Sequence, residues 1–445
     1  MSGAAAPGSP ATPRRVLGVR HAVSMCVGMV IGAGIFRSSP NVAANLADAP
    51  TLFALWVVGG VLSLLGALCF AEMSAAFPHA GGDYAFLSRA YGKRLALLFA
   101  WSRFSVIHTG SMALLAFVFG DYLSHLVDLG HWSSPAFGLL VIIMLVALNL
   151  RGIRVGLGTQ VGLMGVVLFG LACVGLGGAW QEISGIAPLT PFAQAATPAP
   201  VHWGTAMVFV LLAYGGWSDA ATLSSEMRDE RRGIVYALLG GMSIIAALYL
   251  GANWGYVRVL GFGGLAHSDA PAADLMRAVF GRPGEFLIVF TVSITSISVM
   301  NAILIAGART TWAAARDLQG LETLGEWDGE KGTPKGALIA MGVVAMLLVG
   351  FGSLWDRFST IVDFLTPVYW IFLSLSSLAV IVLRVREPDV PRPFRVPGYP
   401  VTPLVFFASC LYMVYAALEY VRVGALVGVG VLALGALLLL PRRRR

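Results

Sequence analysis

Apolar runs of about 18 to 28 residues recur along the chain from Val16 to Leu440, each separated from the next by a shorter polar stretch. An α-helix rises about 1.5 Å per residue and the hydrocarbon layer of a bilayer is roughly 30 Å thick, so each run can cross a membrane as a helix. The pattern predicts twelve spans, near residues 17–46, 51–77, 94–124, 135–150, 158–180, 202–226, 234–258, 284–316, 336–353, 358–384, 401–421 and 424–440. The longest polar stretches, 259–283 and 317–335, are loop-sized, so a single all-α membrane domain is expected.

Glycines interrupt two of these spans at mid-depth, at Gly32-Ala33-Gly34 in the first and at Gly215-Gly216 in the sixth. Backbone left unpaired within a bilayer is costly unless it lines a cavity or meets a ligand, and paired interruptions in corresponding spans mark a binding site. The breaks are five spans apart, so the chain divides into two five-helix halves, 15–180 and 200–385, each opening with its broken helix. An odd number of spans per half makes the repeats inverted. The last two helices, 401–440, fall outside this symmetry as peripheral elements. They follow a loop at 386–400 rich in proline and arginine, whose prolines favour a stiff extended path.

Composition agrees with lipid as the solvent: 57% of the 445 residues are hydrophobic and 12% charged, with a mean hydropathy of +0.79. Charge adds an orientation, because cytoplasmic loops retain Lys and Arg. With both termini inside, 23 of the 30 basic residues fall on the cytoplasmic side. The net charge of +7 then reflects orientation and attraction to anionic lipid, and nucleic-acid binding is not expected. Residues 1–14 read as a disordered cytoplasmic tail and 441–445 as a basic one. Cys26, Cys69, Cys173 and Cys410 all lie in spans without metal-ligand spacing, so they read as packing residues and no metal is expected.

The breaks carry the clearest chemistry. At Gly32-Ala33-Gly34-Ile35-Phe36 the chain can unwind and present N–H groups at the start of a half-helix, where the positive dipole end favours a carboxylate. At Ala213-Tyr214-Gly215-Gly216-Trp217 the preceding half-helix ends in carbonyls that suit an ammonium group. Donors on one side and acceptors on the other fit a zwitterion. Close helix packing is the competing use of the same glycines, since Gly28 and Gly32 also have GxxxG spacing.

Polar side chains inside spans face cavities or partners, and here they fall in three spans. Ser105, His108, Thr109, Asn301 and Tyr369 are candidates for a side-chain pocket, and Arg103 lies within the third span beside them. His108 is placed either to couple to protons or to hydrogen-bond a neighbouring helix. Asp363 is expected to pair with Arg37 or Arg357 as an outer gate. Glu72, Asp83, Glu226 and Asp229 are expected to form an inner gate with Arg89, Arg228 and Arg231. The GxG at Gly32 lacks the strand–turn–helix context of a dinucleotide site, and no catalytic motif such as HExxH or GxSxG occurs, so an enzyme is not expected.

Five blocks carry a resemblance: GAGIF at 32–36, GALCFAEMSAAFPHAGGDYAFL at 66–87, AYGGWSDAATLSSE at 213–226, Asn301 followed by Arg309 and AARD at 314–317, and RPFRVPGYPVTP at 392–403. In these the chain resembles the amino acid, polyamine and organocation transporter superfamily, and most of all its L-type amino acid transporter branch. The resemblance implies a LeuT-type five-plus-five inverted repeat with discontinuous helices 1 and 6 and alternating access around them. It implies transport of amino acids, neutral ones first, by exchange or by proton- or sodium-coupled symport. The backbone at Gly32, Ala33, Gly34 and Ile35 would hold the carboxylate, and that around Leu212, Ala213, Tyr214, Gly215 and Trp217 the amino group.

Two departures from the branch stand out. Leu212 replaces a phenylalanine that usually lids the substrate, and Val167, seven residues after Gln160, replaces a lysine of many relatives. Loss of that lysine reopens a coupling-ion region at Thr295, Ser298 and the helix 1 carbonyls for sodium. Animal relatives join a single-span glycoprotein through a cysteine after span 3, but 121–135 contains none, so no covalent partner is expected. A carrier for cationic amino acids or polyamines, with Asp219 beside the broken helix, and a transporter-derived nutrient sensor are the alternatives. The 27 Arg against 3 Lys resemble prokaryotic GC-rich composition and suggest a bacterial inner membrane.

Overall fold

The computed structural model describes residues 18–32, 34–79, 82–151, 157–184, 201–221, 227, 233–315, 322–326, 333–419 and 423–438. Among these the regular structure is entirely helical. The first span is split into α1 (Val19–Val30) and α2 (Ile35–Ala44), and α3 (Ala49–Ala76) forms the second. A short helix, α4 (Asp83–Tyr91), leads into the third, which runs through α5 (Lys93–Ser102), a π-helical turn at Arg103–His108 and α6 (Thr109–Ser124). Then come α7 (Ser133–Leu150), α8 (Leu157–Ser184), α9 (Trp203–Ala213), α10 (Gly233–Ala266) and α11 (Pro271–Ala315). The chain closes with α12 (Lys335–Ser353), α13 (Arg357–Arg386), α14 (Val401–Glu419) and α15 (Val423–Leu438).

Nine helical segments among the described residues are long and apolar enough to cross a membrane, and α1/α2, α9 and α15 complete the twelve-span pattern. Local signals set the ends. The Asp48 side chain accepts the Thr51 N–H at 2.8 Å and so caps α3, with Pro50 in its first turn; α3 stops just before Pro78. One expectation needs correction. Residues 259–283 are not a loop, because α10 continues beyond a kink at Gly261 (φ 72°) and α11 starts before a kink at Gly281 (φ 67°). Both glycines are non-helical, with angles that favour glycine, so each run is two helical pieces meeting at that residue.

The helices pack in a pattern that survives exchange of the two halves. α1 lies on α10 as α9 lies on α3, and α6 lies on α12 as α11 lies on α7. Likewise α8 contacts α11 and α10 just as α13 contacts α6 and α3. Each pair maps onto another observed pair when spans 1 to 5 are exchanged for spans 6 to 10, which is the packing an inverted repeat produces. α14 and α15 lie outside this pattern against α13.

Candidate functional site

The two interrupted helices meet. α1 closes with the Ile31 N–H on the Val27 carbonyl at 2.8 Å and the Gly32 N–H on the Val30 carbonyl at 2.7 Å. α2 opens at Ile35, and its first N–H groups lack the intrahelical acceptors that later turns enjoy. α9 ends at Ala213; beyond it the Gly215 N–H turns back to the Leu212 carbonyl at 3.0 Å, and Gly216 takes φ 98°. A Cβ on Gly34 would lie 3.6 Å from Ala213 Cα, so the breaks touch, whereas one on Gly32 would meet no atom within 4 Å. The start of α2 and the end of α9 thus flank open space with donors and acceptors.

A buried aromatic cluster holds the junction from behind. The Tyr249 hydroxyl of α10 contacts the Ala213 carbonyl at 3.0 Å and the Val30 carbonyl at 3.3 Å, and so serves both breaks. The Tyr214 hydroxyl donates to the Trp56 carbonyl of α3 at 3.1 Å. Rings of Trp56, Tyr214 and Tyr249 lie 5.1 to 5.6 Å apart in tilted and edge-on pairs, an arrangement aromatic quadrupoles favour. Gly59, Gly60 and Gly66 of α3 make room for Val210, Tyr214 and Trp217 respectively. Sequence reasoning missed Tyr249 and Trp56, since an aromatic residue in a span reads first as packing.

The π turn supplies a second group. Residues five apart lie about 140° around an α-helix, but the widened turn brings the Arg103 guanidinium to His108 Nε2, at 3.1 Å from Nε and 2.8 Å from Nη2. Arg103 Nη2 also donates to Asp219 at 2.6 Å, which ties span 3 to the turn that follows the α9 break. A small cavity adjoins this pair, lined by Asp83, Gly216, Ser218 and Tyr369 among others. His108 Nδ1 lies over Gly307 of α11, where a Cβ would come within 2.8 Å of it.

The structure therefore gathers some of the candidate residues and disperses others. Gly32, Gly34, Ile35, Leu212, Ala213 and Gly215 surround the junction, and Ala33 lies outside the described residues. Tyr369 joins the cavity, its hydroxyl 3.6 Å from the position of a Cβ on Gly215. Side chains of Tyr214 and Trp217 turn away from the open space. Trp217 packs on Phe70 at 5.1 Å and on Phe406 at 5.9 Å. Asn301 does not join the pocket, because its amide oxygen accepts from Asn149 of α7 at 2.7 Å. Ser105 donates to the Trp101 carbonyl of its own helix, and Thr109 is fully buried. In the expected coupling-ion region, Val167 and Thr295 are buried on packed helices α8 and α11, Thr295 donating to the Thr291 carbonyl, and Ser298 is half-buried.

Charge pairing at the two ends of the bundle differs from expectation. Arg37 pairs with Asp121 at 3.3 Å and Asp269 at 2.8 Å, and Arg357 donates to the His131 carbonyl at 2.7 Å. Asp363, expected to meet Arg37 or Arg357, instead places its Cβ against Gly424 of α15. At the opposite end Glu72 is bound by Arg384 through two hydrogen bonds of 2.7 and 2.6 Å and accepts the Val396 N–H at 2.7 Å. Arg89 takes Glu387. The expected partners Glu226, Asp229, Arg228 and Arg231 lie outside the described residues. Glu72 and Arg89 thus fasten the 386–400 loop.

Comparison with known proteins places these features in context. Residues 17–433 match the family model described as amino acid permease. The chain is 26% identical over 414 residues to a serine/threonine exchanger of Bacillus subtilis, covering 91% of each protein. It is also 26% identical over 415 residues to the human b(0,+)-type amino acid transporter 1, covering 91% of this chain and 82% of that one. The human cystine/glutamate transporter matches at 26% over 413 residues, covering 91% and 80% respectively.

Proposed function

Because the chain belongs to the amino acid permease family over residues 17–433, we propose that it carries amino acids across a membrane by exchange, binding them where α1/α2 and α9 are interrupted. One observation carries the site: a Cβ on Gly34 would lie 3.6 Å from Ala213 Cα, so the N–H end that opens α2 and the carbonyl end that closes α9 are adjacent. The carboxylate sits at the start of α2, where the helix dipole is positive, and the ammonium group at the end of α9. Binding through main-chain groups needs no charged side chain. That favours neutral amino acids over cationic ones, since the acidic residue next to the α9 break, Asp219, already holds Arg103.

Alternating access then opens and closes the two ends of the bundle around a fixed site. In this reading the Arg37 end faces outward and the Glu387 end inward, with both termini in the cytoplasm of a bacterial cell. The Arg37–Asp121 and Arg37–Asp269 contacts close the outer end, and the cavity beside Gly216 reaches Asp83 at the start of α4.

Uptake of radiolabelled amino acids into proteoliposomes, with and without internal amino acid and under separate sodium and proton gradients, tests this. Exchange is expected to need internal substrate. Accumulation into empty vesicles would make the protein a symporter, and binding without flux under every condition would make it a sensor. Gly34→Val is expected to abolish flux while the protein still folds, by filling the space next to Ala213.

A further inference from the structure

The cavity beside Gly216 holds a carboxyl group that amino acid binding does not use. Asp83, at the start of α4, is only 7% exposed, and its Oδ1 finds no partner among the described residues. α4 precedes the membrane-crossing segment Lys93–Ser124, and Gly82 (φ 48°) turns the chain into it. The same cavity is lined by Arg103 and Asp219, which are paired with each other at 2.6 Å. Arg103 therefore shares the cavity with two carboxyl groups and is hydrogen-bonded to one of them.

A buried carboxylate without a partner is costly, and such a group takes up a proton instead. We propose that Asp83 is a proton-binding site that keeps its proton while Arg103 holds Asp219 and releases it when Arg103 changes partner. In that step the carboxyl O–H bond breaks, the proton passes to water in the cavity, and the new carboxylate accepts the hydrogen bonds that Asp219 gives up. Asp219 lies in the turn just after the α9 break, where motion of that segment would withdraw it.

The surroundings of Asp83 support this exchange. Arg103 from the π turn, Asp219 from the turn after α9 and Tyr369 from α13 line the same cavity as Asp83, and His108 is the other partner of Arg103. Burial pushes the Asp83 carboxyl up to about 8; Arg103 opposes the rise and Asp219 adds to it. The sign follows. Below that pH the neutral carboxyl leaves the Arg103–Asp219 pair undisturbed, and above it the ionised group competes for Arg103. The proton site goes beyond the transport reading and borrows from it only the motion that withdraws Asp219.

Infrared difference spectroscopy of the purified full-length protein in detergent tests both parts. The wild type at pH 7 is expected to show a protonated carboxyl band that shifts in D2O, fades as the pH is raised past about 8, and is absent from Asp83→Asn. A wild type without the band, or a band unchanged in Asp83→Asn, overturns the proton site. Asp219→Ala removes the acceptor that holds Arg103, so the band is expected to vanish at pH 7; its persistence overturns the change of partner. Asparagine copies the size of a neutral carboxyl, and Asp83→Glu, which should move the band, serves as the check should the first variant not fold. No arm requires flux, so a failed transport assay leaves this test intact.

Discussion

The Tyr249 hydroxyl sits 3.0 Å from the Ala213 carbonyl and 3.3 Å from that of Val30, so one side chain of α10 serves the ends of both interrupted helices. Tyr249 is fully buried, and removing its hydroxyl takes the donor from the Ala213 carbonyl, while the Val30 carbonyl keeps the Gly32 N–H. An unsatisfied buried acceptor costs about 1–3 kcal/mol. Tyr249→Phe is expected to fold with a lowered melting temperature and to lose roughly tenfold or more in exchange rate, a change of about 1.4 kcal/mol in the barrier. Wild-type exchange in this variant would show that the bridge is mere packing.

Two glycine substitutions separate packing from binding. A Cβ on Gly66 would lie 2.5 Å from Phe406 and 2.6 Å from Trp217, so Gly66→Ala overpacks α3 against α14 and the turn after α9, at about 1–3 kcal/mol. Gly32→Ala adds a methyl group where no atom lies within 4 Å. It is expected to leave thermal stability unchanged while weakening amino acid binding, as read by ligand-induced stabilisation in detergent.

Glu72 is 3% exposed and meets two arginines and a backbone N–H. Removing one member of such a group leaves the others buried and uncompensated, so Glu72→Gln is expected to cost about 3 kcal/mol. Limited proteolysis is then expected to cut within 386–400 in the variant and to spare that stretch in the wild type.

Arg89 donates two hydrogen bonds to Glu387, which hold that carboxyl below the ordinary carboxylate range. A depressed carboxylate stabilises the fold above its unfolded value, about 4.3 for glutamate, and loses that contribution as the pH falls through the folded value. Both groups reach solvent, so the gain is small. The stability difference between wild type and Glu387→Gln is expected to stay constant from about pH 6 to 8 and to shrink only below about pH 4. A difference that changes around neutrality would assign the contact another role.

The spans and the two breaks were readable in the sequence because hydrophobic length and glycine placement are local quantities. Where side chains point was not. Trp217 and Tyr214 sit in the motif that suggested binding, yet the glycines of α3, seven residues apart at Gly59 and Gly66, draw them backward. Asn301 looked like a pocket residue until Asn149, on a helix 152 positions away, supplied its partner. The π turn left no mark in RFSVIH, since neither glycine nor proline is needed to widen a turn that neighbouring helices hold. Arg37 likewise chose Asp121 and Asp269 over Asp363, a matter of which helices converge.

The fastening of the 386–400 loop bears on how this chain can be recombined with its relatives. Glu72 of α3 reaches across to Arg384 on α13 and to Val396 in the loop, and the Arg384 guanidinium lies 3.8 Å over the Tyr399 ring. The stretch between α13 and α14 is therefore a splice joining both repeats, and a chimera cut at residue 386 would strip Arg392 and Val396 from a carboxylate more than 300 positions upstream. A graft that exchanges the last two helices should keep the recipient's own residues through Pro400 and change sequence only inside α14.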